Sequence, residues 1–484
     1  MTYLRSRLVS AALVGAVAIV VLVTMVTGAI FVLGDSGWAA VPILGVVAVA
    51  AATLFLIPVA WLPAAAILLF AVVPERITPT VGVFAAVPPI TFVIVIWVFR
   101  RVILQQSDPV DRAHRLRITA PRAFAMLAAA ALLVWSVVSI ARSPNSVTSI
   151  SWTVAFTCSV LLVMLVPSAV KEAALLREAW IRVGFVFGLY ATLELALQGS
   201  PVYGTLYDAL GLKSVQHWSV YRSEVSFGHP ISAGAFLAPA AVLAIAAWLQ
   251  FGRKRHLLFG LGSALGVVAT VSRGSIAALG AGIGLAVALF LLLPGPRSPW
   301  RVATAIAGGA LAGVLVLVAS PLGERAASLE SARSTESRDA STTLALRAAN
   351  DSGWFGTGAG TSGLIPQGSE SLLVESSLLQ ILVSLGLPGL ALFCFVVLSL
   401  SVNALRQRDI AAATALISFV IAISSFNSID AIRSQHLLLG LLFLICLFPA
   451  ARPTPSRRNM VARFGWDSRP SPYLAAVQKS PGPR

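Results

Sequence analysis

Charged side chains are scarce. Of 484 residues only 11% are Asp, Glu, Lys or Arg, while 57% are hydrophobic; soluble domains carry about 25% charged and about 45–50% apolar residues. That deficit excludes an ordinary soluble domain. Lysine is rarer still, confined to Lys171, Lys213, Lys254 and Lys479, so the positive charge is almost all arginine, as an Ala/Arg-rich, GC-rich coding bias would produce. Cysteine is limited to Cys158, Cys394 and Cys446, all inside apolar runs, where they offer no disulfide framework. No cluster of His, Cys, Asp or Glu shows metal-ligand spacing, so neither metal nor cofactor is expected.

What the chain has is a succession of apolar runs near the ~20-residue length that spans a bilayer. Candidate spans fall at 8–33, 38–56, 58–74, 82–100, 121–141, 149–167, 178–197, 231–250, 257–272, 275–293, 302–320, 373–400, 409–427 and 434–450. The fold expected is an all-α polytopic membrane bundle of about 12–14 transmembrane helices, occupying 1–450 and followed by a disordered cytoplasmic tail, 451–484, rich in Pro, Ser and Arg. The lower counts apply if Pro42, Pro58 and Pro63 mark one span plus a re-entrant piece. The first run exceeds the ~7–15-residue core of a cleaved signal and reads as a retained anchor.

A formal charge of +16 would suit nucleic acid, but its placement argues for topology instead. Basic residues recur in every second short connection: Arg5 and Arg7; Arg100 to Arg122; Lys171 and Arg177; Arg253 to Arg255; Arg297 and Arg301; Arg406 and Arg408; Arg452 to Arg458. The positive-inside rule puts these connections and both termini in the cytoplasm of a multi-pass plasma (inner) membrane protein. The alternate connections lie outside. Two of them, 198–230 and 321–372, are far longer than the ~4–6 residues typical of compact connections.

Candidate functional residues gather on that outer side. Arg273, in "VSRGS", interrupts two consecutive spans where the rule disfavours arginine; it serves either a site or a headgroup contact by snorkelling. Arg222, Glu224 and His229 precede the span at 231–250: a guanidinium suits phosphate, and a carboxylate or imidazole takes a proton. The alternative is a solvated Arg–Glu pair. Gly356, Gly358 and Gly360 would let backbone amides approach an anion or simply turn the chain; the run lacks the Lys-Ser/Thr ending of a nucleotide loop. Glu375 at the lip of a span is a general base or an interface anchor. Glu194, one helical turn from Tyr190, lines the same region or joins helices, and His217 and His436 read as interface residues.

Together "SRGS" at 272–275, "FGHPISAGAFLAP" at 227–239, Arg338 upstream of "GWFGTGAG" at 353–360, and "ESSLLQ" at 375–380 followed by "SLGLPGLALF" at 384–393 resemble the bacterial O-antigen ligase and O-antigen polymerase family. The resemblance implies a GT-C-like helical fold and transfer of glycan from a polyprenyl (undecaprenyl) diphosphate to an acceptor hydroxyl on a saccharide or cell-wall acceptor, with no metal and no nucleotide sugar. It assigns the diphosphate to Arg273 and Arg338, with Arg222 a third ligand, and the base to Glu375. Ligases to lipid A carry His-Asn where this chain has Glu375 and Ser376, so polymerisation or transfer to another wall acceptor fits better than lipid A ligation. A lipid-linked oligosaccharide flippase would instead place charges along a central pathway and keep outer loops short. A non-catalytic scaffold of a polysaccharide assembly complex would tolerate loss of these arginines.

Overall fold

The computed structural model describes residues 54–74, 76, 87–104, 119–210, 220–293, 298–307, 329–364 and 373–449. The expected span at 8–33, most of those at 38–56 and 302–320, His217 and the tail at 451–484 lie outside these residues. Among the described residues the chain is helical, without strands. Its helices are α1 (Leu62–Val72), α2 (Thr91–Val102), α3 (Ala120–Ile140), α4 (Ser146–Phe156), α5 (Val170–Leu197), α6 (Tyr203–Ala209), α7 (Pro230–Phe251), α8 (Lys254–Ala269), α9 (Arg273–Leu292), α10 (Leu329–Asp351), α11 (Ser377–Arg406), α12 (Ile410–Ile423), α13 (Ser428–Ala431) and α14 (Gln435–Leu447).

Six are long and apolar enough to cross a membrane: α3, α4 with its continuation to Leu165, α5, α7, α9 and α11. Helices α1, α12 and α14 are apolar but shorter. These elements fall on the expected spans, which makes the protein an all-α polytopic membrane bundle. Some boundaries differ: α2 starts at Thr91 instead of near 82, and α11 runs on to Arg406 instead of 400. Helix α5 starts at Val170 instead of near 178, because the charges that seemed to end the span are paired: Glu172 bonds Arg101 at 2.8 Å, and Arg177 bonds Asp409.

Helix α7 is apolar on all sides and buried over 94% of its best apolar window, as expected of a helix at the centre of a bundle. Its alanines let α5, α8, α9 and α12 approach closely. Gly188 of α5 meets Gly262 and Gly266 of α8 backbone to backbone, with no room for a Cβ on any of the three, the small-residue packing that membranes favour. By contrast α3 and α9 keep side chains such as Leu127, Val134, Leu291 and Leu292 exposed, which suits contact with lipid.

The basic connections meet at one end of the bundle, where several arginines take backbone carbonyls or a carboxylate. Arg100 donates to Leu54 and Ile57, Arg122 to Val166 and Pro167, and Arg301 to Leu249. The guanidinium of Arg122 also covers the Phe448 ring at 4.6 Å. Cations at the carbonyl ends of helices complement the helix dipole. The connections poor in basic residues converge at the opposite end, through contacts described below.

Asp409 is 1% exposed and also caps α12, accepting from the Ala412 amide at 3.0 Å. Arg177→Ala would leave that carboxylate buried without its cation, a loss on the order of 3–5 kcal/mol. The thermal midpoint in detergent should drop sharply, and pairing the change with Asp409→Asn should restore part of it.

Candidate functional site

The turn between α8 and α9 is built by its own sequence and by the loop beneath it. Ser272 caps α9, its hydroxyl accepting from the Ser275 amide at 3.4 Å and the Ser275 hydroxyl at 3.0 Å. Val271 is held at φ +50°, a left-handed conformation strained for a β-branched residue. What holds it is Arg222, which is 2% exposed and donates from Nε to the Thr270 carbonyl at 3.2 Å. The Ser223 amide donates to the Ala269 carbonyl at 3.1 Å. Arg222 is therefore a buried brace under the turn. Arg273, one residue past the cap, is exposed and makes no ion pair or hydrogen bond to any described residue.

Arg338 reaches the same place from α10. Ser341, Ala345 and Ala348 recur at helical spacing and are buried, the two alanines against Val374 and Val383; Arg338 lies one turn earlier on that stripe. Its Nε lies 3.4 Å from Oε2 of Glu375 and its NH2 3.5 Å from the Ser425 carbonyl. Gly274 also packs on Ser425, with no room for a Cβ. Arg338 and Glu375 thus meet beside Ser425, and the backbone next to Arg273 packs on the same serine. The Ser337 hydroxyl donates to Glu375 Oε1 at 3.0 Å, and the Glu375 amide donates to Ser341 Oγ at 2.9 Å. With side chains 40% and 35% exposed, the Arg338–Glu375 pair is worth about 0–1 kcal/mol and exchanges readily for another partner.

Glu375 is positioned by a break in α11. Gly386 adopts φ 70°, ψ −173°, splitting the helix into a first half that ends at Leu385 and a second that runs to Arg406. A break frees carbonyls of the first half. The glycine run supplies their donors: the Thr357 amide donates to Val383 at 2.9 Å and the Gly358 amide to Ser384 at 3.0 Å, while the Trp135 indole reaches Leu385 at 2.6 Å. Gly356, Gly358 and Gly360 all have positive φ. They press on Gly386, Ser143 and Trp152 with no space for a Cβ. Their loop is a wedge beside the break; of the three, Gly360 borders a cavity at this end.

Glu224 and His229 lie apart from that cluster. Arg76 donates to Glu224 Oε2 at 2.9 Å and to the Gly228 carbonyl at 3.2 Å, and its guanidinium covers the Tyr207 ring at 5.3 Å. His229 caps α7, Nδ1 accepting from the Ile231 amide at 3.2 Å. Glu194 accepts from the Val225 amide at 3.0 Å and tethers the same loop.

The connection between α12 and α14 carries two groups that the sequence reading did not single out, Asp430 and Arg433. Asp430 Oδ2 accepts from Ser384 Oγ at 2.6 Å and from the Ser362 amide at 3.3 Å, and its own amide donates to Gln380 at 3.1 Å. Burial pushes its carboxyl above the ordinary value, with the Ser362 and Ser384 hydrogen bonds opposing. Arg433 donates to Ser151 Oγ. The signal available was an Asp and an Arg in a short connection between two apolar spans. Among the described residues no three His, Cys, Asp or Glu side chains converge as metal ligands.

A helical membrane bundle with a partly exposed arginine–glutamate pair at one loop, and an exposed arginine on the turn that packs against that loop, defines a class of polytopic protein with a terminal polar site. Residues 257–394 match the family model described as O-Antigen ligase, the family that the motifs from Arg222 to Leu400 resemble. Arg273, Arg338 and Glu375 all lie inside the matched segment. No curated protein matches the chain.

Burial pushes the Glu224 carboxyl up to about 7, Arg76 opposing and the charge on Glu194 adding. A raised carboxyl favours the folded state most below its unfolded pKa, and that contribution is lost as pH rises through about 7. Stability should therefore fall between pH 5 and 8 by on the order of 1–3 kcal/mol from this group. Thermal unfolding of the wild type and Glu224→Gln across that range should show the slope reduced in the variant; an equal slope in both would refute the assignment. Gly386→Ala, strained at φ 70° and blocked by the Trp354 and Phe355 backbone, should lower stability by about 1–3 kcal/mol or more, read in the same assay.

Proposed function

We propose that this protein is a glycosyltransferase of the O-antigen polymerase and ligase type, moving glycan from a polyprenyl diphosphate to an acceptor hydroxyl in surface polysaccharide synthesis. What supports the reading is the Arg338–Glu375 pair beside Ser425, with Gly274, the neighbour of the exposed Arg273, packed on the same serine, within the segment that matches the family. Transfer breaks the bond between the anomeric carbon and the phosphate oxygen, and negative charge develops on the leaving diphosphate. Fixed cations near that oxygen stabilise the transition state most where water is scarce. Arg273 is unengaged by described residues and Arg338 is held by a weak pair and a long bond to the Ser425 carbonyl, so both can turn to phosphate.

Glu375 then acts as the base. When Arg338 moves onto the diphosphate, the carboxylate loses its cation and is left to take the proton of the acceptor hydroxyl as that oxygen bonds the anomeric carbon. The donor brings its own leaving group, so the reading requires no nucleotide or metal. Glu375 and Ser376 in place of His-Asn favour polymerisation, or transfer to a wall acceptor, over lipid A ligation. The charge alternation supports an extracytoplasmic site, with the arginine-bonded end and both termini in the cytoplasm.

Reconstitution of the purified protein with lipid-linked glycan tests the reading. Chain growth on lipid indicates polymerase, passage to a separate acceptor indicates ligase, and translocation without bond formation would refute transfer in favour of a transporter. Arg273→Ala and Arg338→Ala, at normal membrane abundance, should each slow transfer by roughly 10²–10³-fold, and Glu375→Gln by roughly 10²–10⁴-fold. Arg222→Ala should differ in kind, lowering abundance and thermal midpoint because it removes the brace under the turn.

A further inference from the structure

Alongside the first half of α11 lies a cavity of about 170 Å³. Its polar wall is formed by Gln380, by Asn427, Asp430 and Arg433 of the connection between α12 and α14, and by Thr148 of α4; Leu364 and Leu373 give it an apolar side. Val374 also borders it, and Glu375 is the next residue. The walls are tied together: the Ser377 hydroxyl donates to the Phe426 carbonyl at 2.8 Å, and the Ser428 amide donates back to it at 3.0 Å.

The volume is well below the roughly 300–1,000 Å³ of pockets that enclose drug-sized ligands, which rules out an oligosaccharide or a polyprenyl chain inside it and leaves room for one ring. The lining offers a carboxylate acceptor, a guanidinium donor, and two amides and a hydroxyl that do both. An apolar guest would leave Asp430 Oδ1, buried without a hydrogen-bond partner, still unmet, and a simple anion would face the Asp430 carboxylate. A pyranose meets both demands, since its hydroxyls donate and accept while its C–H face lies against leucine.

We propose that this cavity seats the one sugar ring of the acceptor that carries the attacking hydroxyl, placing it beside Glu375. The inference rests on the transfer reading above. In the step it serves, the acceptor oxygen bonds the anomeric carbon, the bond from that carbon to the phosphate oxygen breaks, and the hydroxyl proton passes to Glu375. Thr148, Gln380, Asn427, Asp430 and Arg433 bind the ring and take no proton.

The test uses the full-length protein in proteoliposomes with labelled lipid-linked glycan from the host membrane as donor. Glycan released from the same lipid by mild acid is titrated as soluble acceptor. Two variants alter the cavity at modest structural risk: Leu364→Trp fills it from a side chain 44% exposed, and Asn427→Ala removes a side chain that makes no cap hydrogen bond to α13. Each should raise the acceptor KM at least tenfold while leaving the donor KM and the thermal midpoint unchanged. Unchanged acceptor KM in both variants of an active protein overturns the subsite alone, as does a rise in donor KM instead. A wild type that transfers nothing overturns the transfer reading, and the subsite with it.

Discussion

The break in α11 at Gly386 is the constraint on which the polar end of this bundle depends. An unbroken helix would satisfy its own carbonyls and carry Glu375 away along one straight axis. At φ 70° the chain instead turns out of the helix, and the carbonyls of Val383, Ser384 and Leu385 need donors from elsewhere. In a setting poor in water each unmet carbonyl would cost several kcal/mol. The loop at 354–358 and the Trp135 indole meet that need. The same requirement that closes the break therefore pins the loop to α3 and α11, and fixes where α10, which runs into that loop, can present Arg338.

Arginine plays opposite parts at the two ends. At the basic end Arg100, Arg101, Arg122 and Arg177 are all buried and bonded to carbonyls or carboxylates, so charge and geometry are both committed to holding helices together. At the other end, among the described residues, Arg222 is buried and bonded in that way, and Arg76, more exposed, is tied to Glu224 and the Gly228 carbonyl. Arg273 stays exposed, and Arg338 is balanced by a long, half-exposed pair. Rigidity at one end and exchangeable cations at the other is the division expected when one end anchors the bundle and the other meets a charged ligand.

The spans among the described residues were legible because membrane crossing demands long apolar runs, and the two-ended sorting of connections because short loops carry their charge visibly. The stripe of Arg338, Ser341, Ala345 and Ala348 is periodic too, but it lies in a stretch expected only as a long outer connection, and α10 emerges there in the structure. Other features were not legible. The start of α5 was hidden because Arg177, like Lys171, reads as a loop charge until its partner Asp409, far away in sequence, is in view. Arg222 carries the same letter whether it binds phosphate or braces a turn, and only its burial separates the two. The glycine run advertised backbone freedom without saying that the freedom serves close packing against Gly386, Ser143 and Trp152. Asp430 and Arg433 sit in too short a connection to attract notice, and their relation to Gln380 and Ser362 exists only in three dimensions.

A strong pair between Arg338 and Glu375 would defeat the chemistry proposed for them. A short, buried, bidentate bridge would hold the guanidinium against displacement and keep the carboxylate a poor base. The observed separation of 3.4 Å and substantial exposure keep the pair close to neutral in free energy, so a diphosphate with its greater charge can take the arginine. On the proposed chemistry, its departure would strip the cation from Glu375 at the moment the donor is seated. The base would then gain strength only with donor in place, which links activation of the acceptor hydroxyl to donor binding through one shared side chain.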